Sequence, residues 1–245
     1  DMCVWKKKFP GRDISNGKVR AAGVAMSMQG SGISGIDVGS VTVKLNDDGG
    51  YMLLIAAADM GTGCDTILAQ MVAEHMECPV DAVSVFGADT DASPYDSGSY
   101  ASSTTYVTGM AVEKACAQLK ERLCAIAAEE LGCNAAELRF EGGCVRHEAT
   151  GRTVSLPEIA AKSQCNCRLA PEAAAQHSSP VSPPPYMVGM VEIELDRETG
   201  VVEVLDYAAV VDCGIPINPA LARIQVEGGI VQGIGHTLME DVTRT

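Results

Sequence analysis

One pattern runs through the chain twice and restricts its fold more than any other. Residues 41–58, VTVKLNDDGGYMLLIAAA, hold a period-two run, a turn at Asn46-Asp47-Asp48-Gly49-Gly50 and an apolar run, the signature of a β-hairpin. Asp59-Met60-Gly61 follows. Residues 65–76 then carry apolar side chains at 67, 68, 71, 72 and 76, a helical stripe that Asp65 or Thr66 can cap. Residues 188–211, VGMVEIELDRETGVVEVLDYAAVV, repeat the order of strand, turn (Arg197–Gly200) and strand. Asp212-Cys213-Gly214 takes the place of Asp59-Met60-Gly61, and a helical segment from about 220 to 239 comes next. A hairpin with one apolar face needs a helix to cover it. The repeated unit therefore predicts an α+β fold: two related lobes of mixed sheet with helices layered on one face.

Between the two units, residues 82–88 (AVSVFGA) read as a strand and residues 91–105 as a Gly/Ser loop. A long helix follows over roughly 107–131, ended by Gly132, with small Ala and Cys residues on its inner side that permit close packing on a sheet. Residues 140–156 predict a short hairpin, and Leu156-Pro157-Glu158 opens a brief helix. Residues 165–185 read as irregular, and SSPVSPPP (178–185) is too proline-rich for helix or inner strand. The expected organisation is a first αβ lobe over 1–177, a Pro-rich connection over 178–187, and a truncated second hairpin–loop–helix unit over 188–245. The start, without an initiator Met, and the end at GHTLMEDVTRT read as the limits of a piece of something longer. Trp5 and Phe9 are expected to anchor the first segment.

Charge narrows the partners. The formal net charge of -14 opposes binding to nucleic acid phosphates. No run approaches the ~20 apolar residues of a membrane span, and no secretory signal opens the chain. The ten cysteines are scattered over a chain far longer than the usual disulfide scaffold, so they read as reduced, buried apolar residues of a cytoplasmic protein. Cys165 and Cys167 form the one close pair, without a zinc-ligand pattern. A thiol redox role would rest on that pair and on a positive setting that this acidic chain scarcely offers. His75, His147 and His177 have no spaced partner and predict no metal site; His236 reads as a surface or packing residue. Asp59 and Asp212 read as turn formers, Glu227 as structural.

Two loops carry the chemistry. In DMGTGCDTILAQ (59–70), glycines at 61 and 63 bare the backbone directly before a helix, whose first amides are unpaired and partly positive. In YDSGSYASSTTYVTG (95–109), Ser99, Ser102, Ser103, Thr104 and Thr105 add five hydroxyls beside a helix start. Two readings of these loops stand. They are ordinary strand-to-helix turns with capping residues, or they are a cradle of neutral donors for a phosphate or another anion.

The ordered motifs GVAMS (23–27), ADMGTGCDTILAQ (58–70), ADTDASPYDSGSYASSTTYVTGMAV (88–112), VEIELDRETGVVEV (191–204) and DCGIPINPALARIQVEGGIVQGIG (212–235) resemble the molybdenum hydroxylases. This is the xanthine dehydrogenase and aldehyde oxidase family, with its hydroxybenzoyl-CoA reductase, nicotinate dehydrogenase and aerobic carbon monoxide dehydrogenase branches. The resemblance covers nearly the whole chain and corresponds to the C-terminal part of the molybdopterin-binding subunit. It implies hydroxylation of an electron-poor carbon, in an N-heterocycle or an aldehyde, with water as oxygen source. The cofactor implied is molybdenum on molybdopterin or molybdopterin cytosine dinucleotide. The implied partners are modules carrying FAD and 2Fe-2S clusters, the first lobe of the same subunit, and a small-molecule substrate.

The resemblance also implies roles. Met60 and the turn Gly61-Thr62-Gly63, matching a family Gly-Gln-Gly, grip the pterin. Ala101, Ser102, Ser103, Thr104 and Thr105 surround the pterin and its phosphate. Gln225 reaches the cofactor, and Met26 takes the place of a substrate-stacking aromatic. Thr62 is shorter than the usual Gln, Ser103 stands where an Arg is common, and Met26 cannot stack in the same way. The family's glutamate base lies in a Gly-x-Gly-Glu motif, which does not occur after Gly235, so the expected catalytic set within this chain is empty and the piece is expected to be inactive alone. The departures at Thr62 and Ser103 keep a second reading open, a non-catalytic scaffold or assembly domain that retains the fold.

Overall fold

The computed structural model describes residues 12–14, 16–165 and 171–243. Trp5, Phe9 and the Cys165 and Cys167 side chains lie outside the described residues. The chain divides into two units, one contiguous over Ser31–Ser182 and one assembled from residues 1–30 with Pro183–Thr245.

The contiguous unit is built on strands β3 (Gly39–Leu45) and β4 (Tyr51–Ile55), joined as the predicted antiparallel hairpin. Its turn closes through Asn46 N to Gly50 O at 2.8 Å, while Asp48 Oδ1 accepts the Gly50 amide at 2.8 Å. Alternation decides which face goes inward: Val41, Val43, Leu45, Tyr51, Leu53 and Ile55 are buried, and Thr42, Lys44, Met52 and Leu54 between them are half-buried. From β4 the chain enters helix α1 (Cys64–His75) and returns as β5 (Val83–Gly87), parallel to β4. Strand β9 (Glu172–His177) pairs antiparallel with the other side of β3, completing the mixed order β5-β4-β3-β9. This strand falls inside the 165–185 stretch that reads as irregular. Its Ala-rich sequence, EAAAQH, carries little β signal, and the edge of β3 supplies the pairing from far along the chain.

Helix α2 (Thr104–Leu131) lies across this sheet. Val107, Ala111, Ala115, Leu119, Leu123 and Ala127 recur every fourth position and are buried together, ending at Gly132 in the left-handed conformation. Small residues set the approach: a Cβ on Gly39 would lie 2.7 Å from the Thr108 Cα, and one on Gly109 would lie 2.8 Å from Met71 of α1. Beyond α2, residues 138–155 form a three-stranded antiparallel sheet of β6 (Leu138–Glu141), β7 (Cys144–His147) and β8 (Thr153–Ser155), one strand more than a hairpin. Helix α3 (Leu156–Cys165) follows, tied to α2 by the Lys162–Glu130 ion pair.

The split unit is an antiparallel sheet of order β1-β2-β10-β11, formed by β1 (Arg12–Ile14), β2 (Lys18–Met28), β10 (Tyr186–Asp196) and β11 (Val202–Asp212). The β10–β11 hairpin is the predicted one. Asp196 Oδ1 accepts the Glu198 and Thr199 amides in its turn, and Gly200 supplies a φ of 75°. Helix α4 (Pro219–Leu238) starts with Asn218 Oδ1 accepting the Leu221 amide at 3.1 Å and Pro219 at its first position. Here the expectation of a covering helix is only half met. No residue of α4 is buried, and a cleft of about 910 Å³ separates it from Val191, Ile193, Val204 and Tyr207 of the sheet.

Candidate functional site

The first loop is folded around its own carboxylate. Asp59 Oδ1 accepts the Gly61 amide at 2.9 Å and the Gly63 amide at 3.0 Å, and Oδ2 receives the Asp65 amide at 3.4 Å. Gly63, with φ 76°, stands at the N-cap of α1, so the side chain that serves the helix start is Asp59 rather than Asp65 or Thr66. The amides of Gly63 and Gly61 hold the Asp59 carboxyl below the usual carboxylate range, whereas partial burial, reinforced by Asp59, pushes Asp65 up. Asp212 repeats the turn in the split unit, with Oδ1 accepting the Gly214 amide at 3.1 Å. Met60 is exposed, and Gly61, with φ 105°, has open space where a Cβ would stand. The loop presents bare backbone, but three of its amides point at Asp59.

Asp59, Cys64 and Asp65 place a thiol and two carboxylates within 4.8 Å of one another. Burial pushes the Cys64 thiol up to about 11, and Asp59 is already saturated by amide donors, so the group is a packed loop rather than an ion cage. Cys116 behaves in the same way, pushed up by burial to about 12. The seven described cysteines are all free.

The second loop is held open differently. Ala101 and Ser102 both adopt left-handed backbone, with φ of 53° and 56°. Residues 31–38 act as the template that imposes this shape. Gly32 N donates to Ala101 O at 2.7 Å, Ser97 N donates to Val38 O at 3.1 Å, and Val38 N donates to Ser97 Oγ at 3.1 Å. The buried Asp37 braces that template through the Ile33 amide at 2.7 Å. Asp96 accepts the Gly98 amide at 2.8 Å and the Thr108 hydroxyl at 3.2 Å. Ser103 is buried and its hydroxyl donates to Gly98 O, whereas Ser102 and Thr105 are exposed and Thr104 is half-buried. No side chain caps the first turn of α2. The two helix starts thus differ: α1 carries an internal anion, and α2 presents its amides beside exposed hydroxyls.

Met60, Gly61, Thr62, Gly63 and Ala101 through Thr105 all belong to the contiguous unit, while Met26 and Gln225 belong to the split unit. Gln225 lines the cleft under α4; Met26 lies on β2, exposed, opposite Val188. Glu227 accepts from Arg223 Nε at 2.7 Å one helical turn away, and His236 pairs with Glu240, so both serve the surface of α4. One cluster escapes sequence reasoning altogether: Cys133, Glu137 and His147 converge at the far end of α2 from the second loop, across a strand pairing that spacing does not reveal.

Residues 3–245 match the family model described as a molybdopterin cofactor-binding domain. The chain is 34% identical to the probable hypoxanthine oxidase XdhD of Escherichia coli K12 over 99% of its own length and 25% of that protein. It is 30% identical to the 6-hydroxypseudooxynicotine dehydrogenase complex subunit gamma of Paenarthrobacter nicotinovorans, over 93% of its length and 29% of that protein. Among solved structures it resembles quinoline 2-oxidoreductase from Pseudomonas putida 86, with a TM-score of 0.78 and 26% identity, over 94% of this chain and 31% of that one. The chain therefore spans between a quarter and a third of these relatives.

Proposed function

The chain belongs to the molybdopterin cofactor-binding domain family, and on that premise we propose that it holds one side of a molybdenum–pterin cofactor within a longer hydroxylase subunit. When bound, the molybdenum centre supplies a two-electron oxidation with water as the oxygen source. The observation that carries the reading is the start of α2, where uncapped amides stand beside two exposed residues with hydroxyls, Thr105 in the first helical turn and Ser102 on the left-handed turn before it. Such donors take the anionic part of the cofactor without a Lys or Arg. The first loop fits a neutral, flat part: Gly61 leaves its backbone face open, while Asp59 engages the amides that another anion would need. Met60, Thr62 and Gly63 flank that face, and Ala101, Ser103 and Thr104 shape the second loop. Met26 belongs to the substrate side.

The substrate class we assign is an N-heterocycle, with an aldehyde as the alternative. The names of the relatives, a hypoxanthine oxidase and a pseudooxynicotine dehydrogenase, favour the former. Electrons leave through partner modules carrying 2Fe-2S clusters and FAD, the pterin carries a cytosine nucleotide or none, and the assembly works in the cytoplasm. Free cysteines, and the lack among the described residues of a helix long and apolar enough to cross a membrane, agree with that place.

The test uses the longer subunit assembled with its partners. Molybdenum analysis and pterin fluorescence should find one cofactor, and Ser102→Ala with Thr105→Ala should lower its retention about tenfold or more, since each lost hydrogen bond is worth about 1 kcal/mol. Active, assembled material without molybdenum would refute the proposal. The engagement of the Gly61 and Gly63 amides by Asp59 favours one second reading, a scaffold domain that has lost its grip. A Gly-x-Gly-Glu segment further along the longer polypeptide would argue for the enzyme, and its absence for the scaffold.

A further inference from the structure

We propose that Cys133, Glu137 and His147 form a zinc-binding clip, at a place in the fold separate from the two cofactor loops. One ligand atom from each, a sulfur, a carboxylate oxygen and an imidazole nitrogen, lies within 4.8 Å of the other two. They come from three pieces of backbone. Cys133 follows the Gly132 stop of α2, Glu137 closes the short turn after it, and His147 ends β7, opposite Leu138 of β6. The donors are aimed by local structure rather than by one another. The Cys133 amide is fixed on Ala128 O at 3.1 Å. A Glu137 oxygen accepts the Asn134 amide at 3.0 Å in a capping box. The His147 ring is largely buried and stands 3.9 Å from Glu137.

The donor set selects the ion. Thiolate, imidazole and carboxylate together suit a borderline cation held at about 2.0–2.3 Å per ligand, which places neighbouring donors roughly 3.3–3.6 Å apart. Closing from separations of at most 4.8 Å takes up to about 1.5 Å of relative movement, and the exposed Glu137 side chain can supply part of it. Three protein ligands leave a fourth position for water. The net charge of -14 favours capture of a cation.

The proton balance gives the clip a signature. His147 Nδ1 accepts the Ala149 amide at 3.2 Å, so a neutral ring carries its proton on Nε2. Binding of Zn²⁺ at Nε2 moves that proton to Nδ1, and the Cys133 thiol releases its proton to solvent. No electron moves. Two donors then face each other at Nδ1 and the Ala149 amide, and this exposed contact opens.

The test titrates Co²⁺ as a probe into the full chain. One equivalent should produce a thiolate-to-cobalt charge-transfer band, and Zn²⁺ should displace it. Cys133→Ser should abolish the band, His147→Gln should weaken binding at least about tenfold, and Cys213→Ser, an exposed thiol elsewhere, should change neither. Amide exchange at Ala149 should accelerate when Zn²⁺ is added. No band from the unmodified chain, or a band that survives Cys133→Ser, overturns the proposal; the first of these needs no variant to fold.

Discussion

At the scale of single residues, Asp59 does what an outside anion was expected to do. Its carboxylate satisfies amides of Gly61, Gly63 and Asp65, which a bare reading of the glycines leaves free. That placement has a pH consequence. The folded-state carboxyl is held below its usual value, so its stabilising effect is present above the unfolded value near ~3.9 and fades as pH falls through the folded one. Asp59→Ala should lower stability by about 1 kcal/mol at neutral pH, as loss of a helix-start side chain does. The gap between variant and parent in urea denaturation should narrow as pH falls below the usual carboxylate value; a gap that stays constant with pH would show that Asp59 acts through packing alone. The sequence placed Gly61, Gly63 and the Ser/Thr cluster beside helix starts, but not the direction of one aspartate, because that depends on how the loop coils back on itself.

At the scale of elements, close approach of α2 to its sheet rests on positions without side chains. A methyl group at residue 39 would meet the Thr108 backbone, which cannot swing aside. Gly39→Ala should therefore destabilise the contiguous unit by roughly 1–3 kcal/mol, seen as a lower urea midpoint; an unchanged midpoint would mean that α2 slides without penalty. Elements with local signals were readable beforehand: the β3–β4 and β10–β11 hairpins from alternation and turn residues, α1 and α2 from their stripes and Gly132. The parts that were not readable depend on distant chain. Strand β9 exists because β3 offers an edge, β2 because β10 lies beside it, and the Cys133–Glu137–His147 cluster because β6 and β7 pair. Burial of α4 failed for a different reason. Its sequence is apolar enough to be covered, and pattern alone does not say what covers it.

At the scale of the whole molecule, the two units differ in what secures them. Among the described residues, nearly every buried apolar side chain, from Val41 to Ala173, belongs to residues 31–182; in the other unit only Met190, 9% exposed, joins them. Hydrogen exchange of the 245-residue chain should find α2, β3 and β4 slowest and α4 fastest, because protection follows buried apolar contact. Equal protection in α2 and α4 would contradict that ordering. The pairing of Met28 with Tyr186 has a temporal side as well. During synthesis at roughly 5–20 residues per second, β2 leaves the ribosome about 10–30 s before its partner strand exists. For that interval the β10-facing edge of an eleven-residue ribbon, whose other edge is paired only at Lys18–Arg20, must be kept from sticking to its neighbours on the polysome, so the demand for chaperone protection falls on β2.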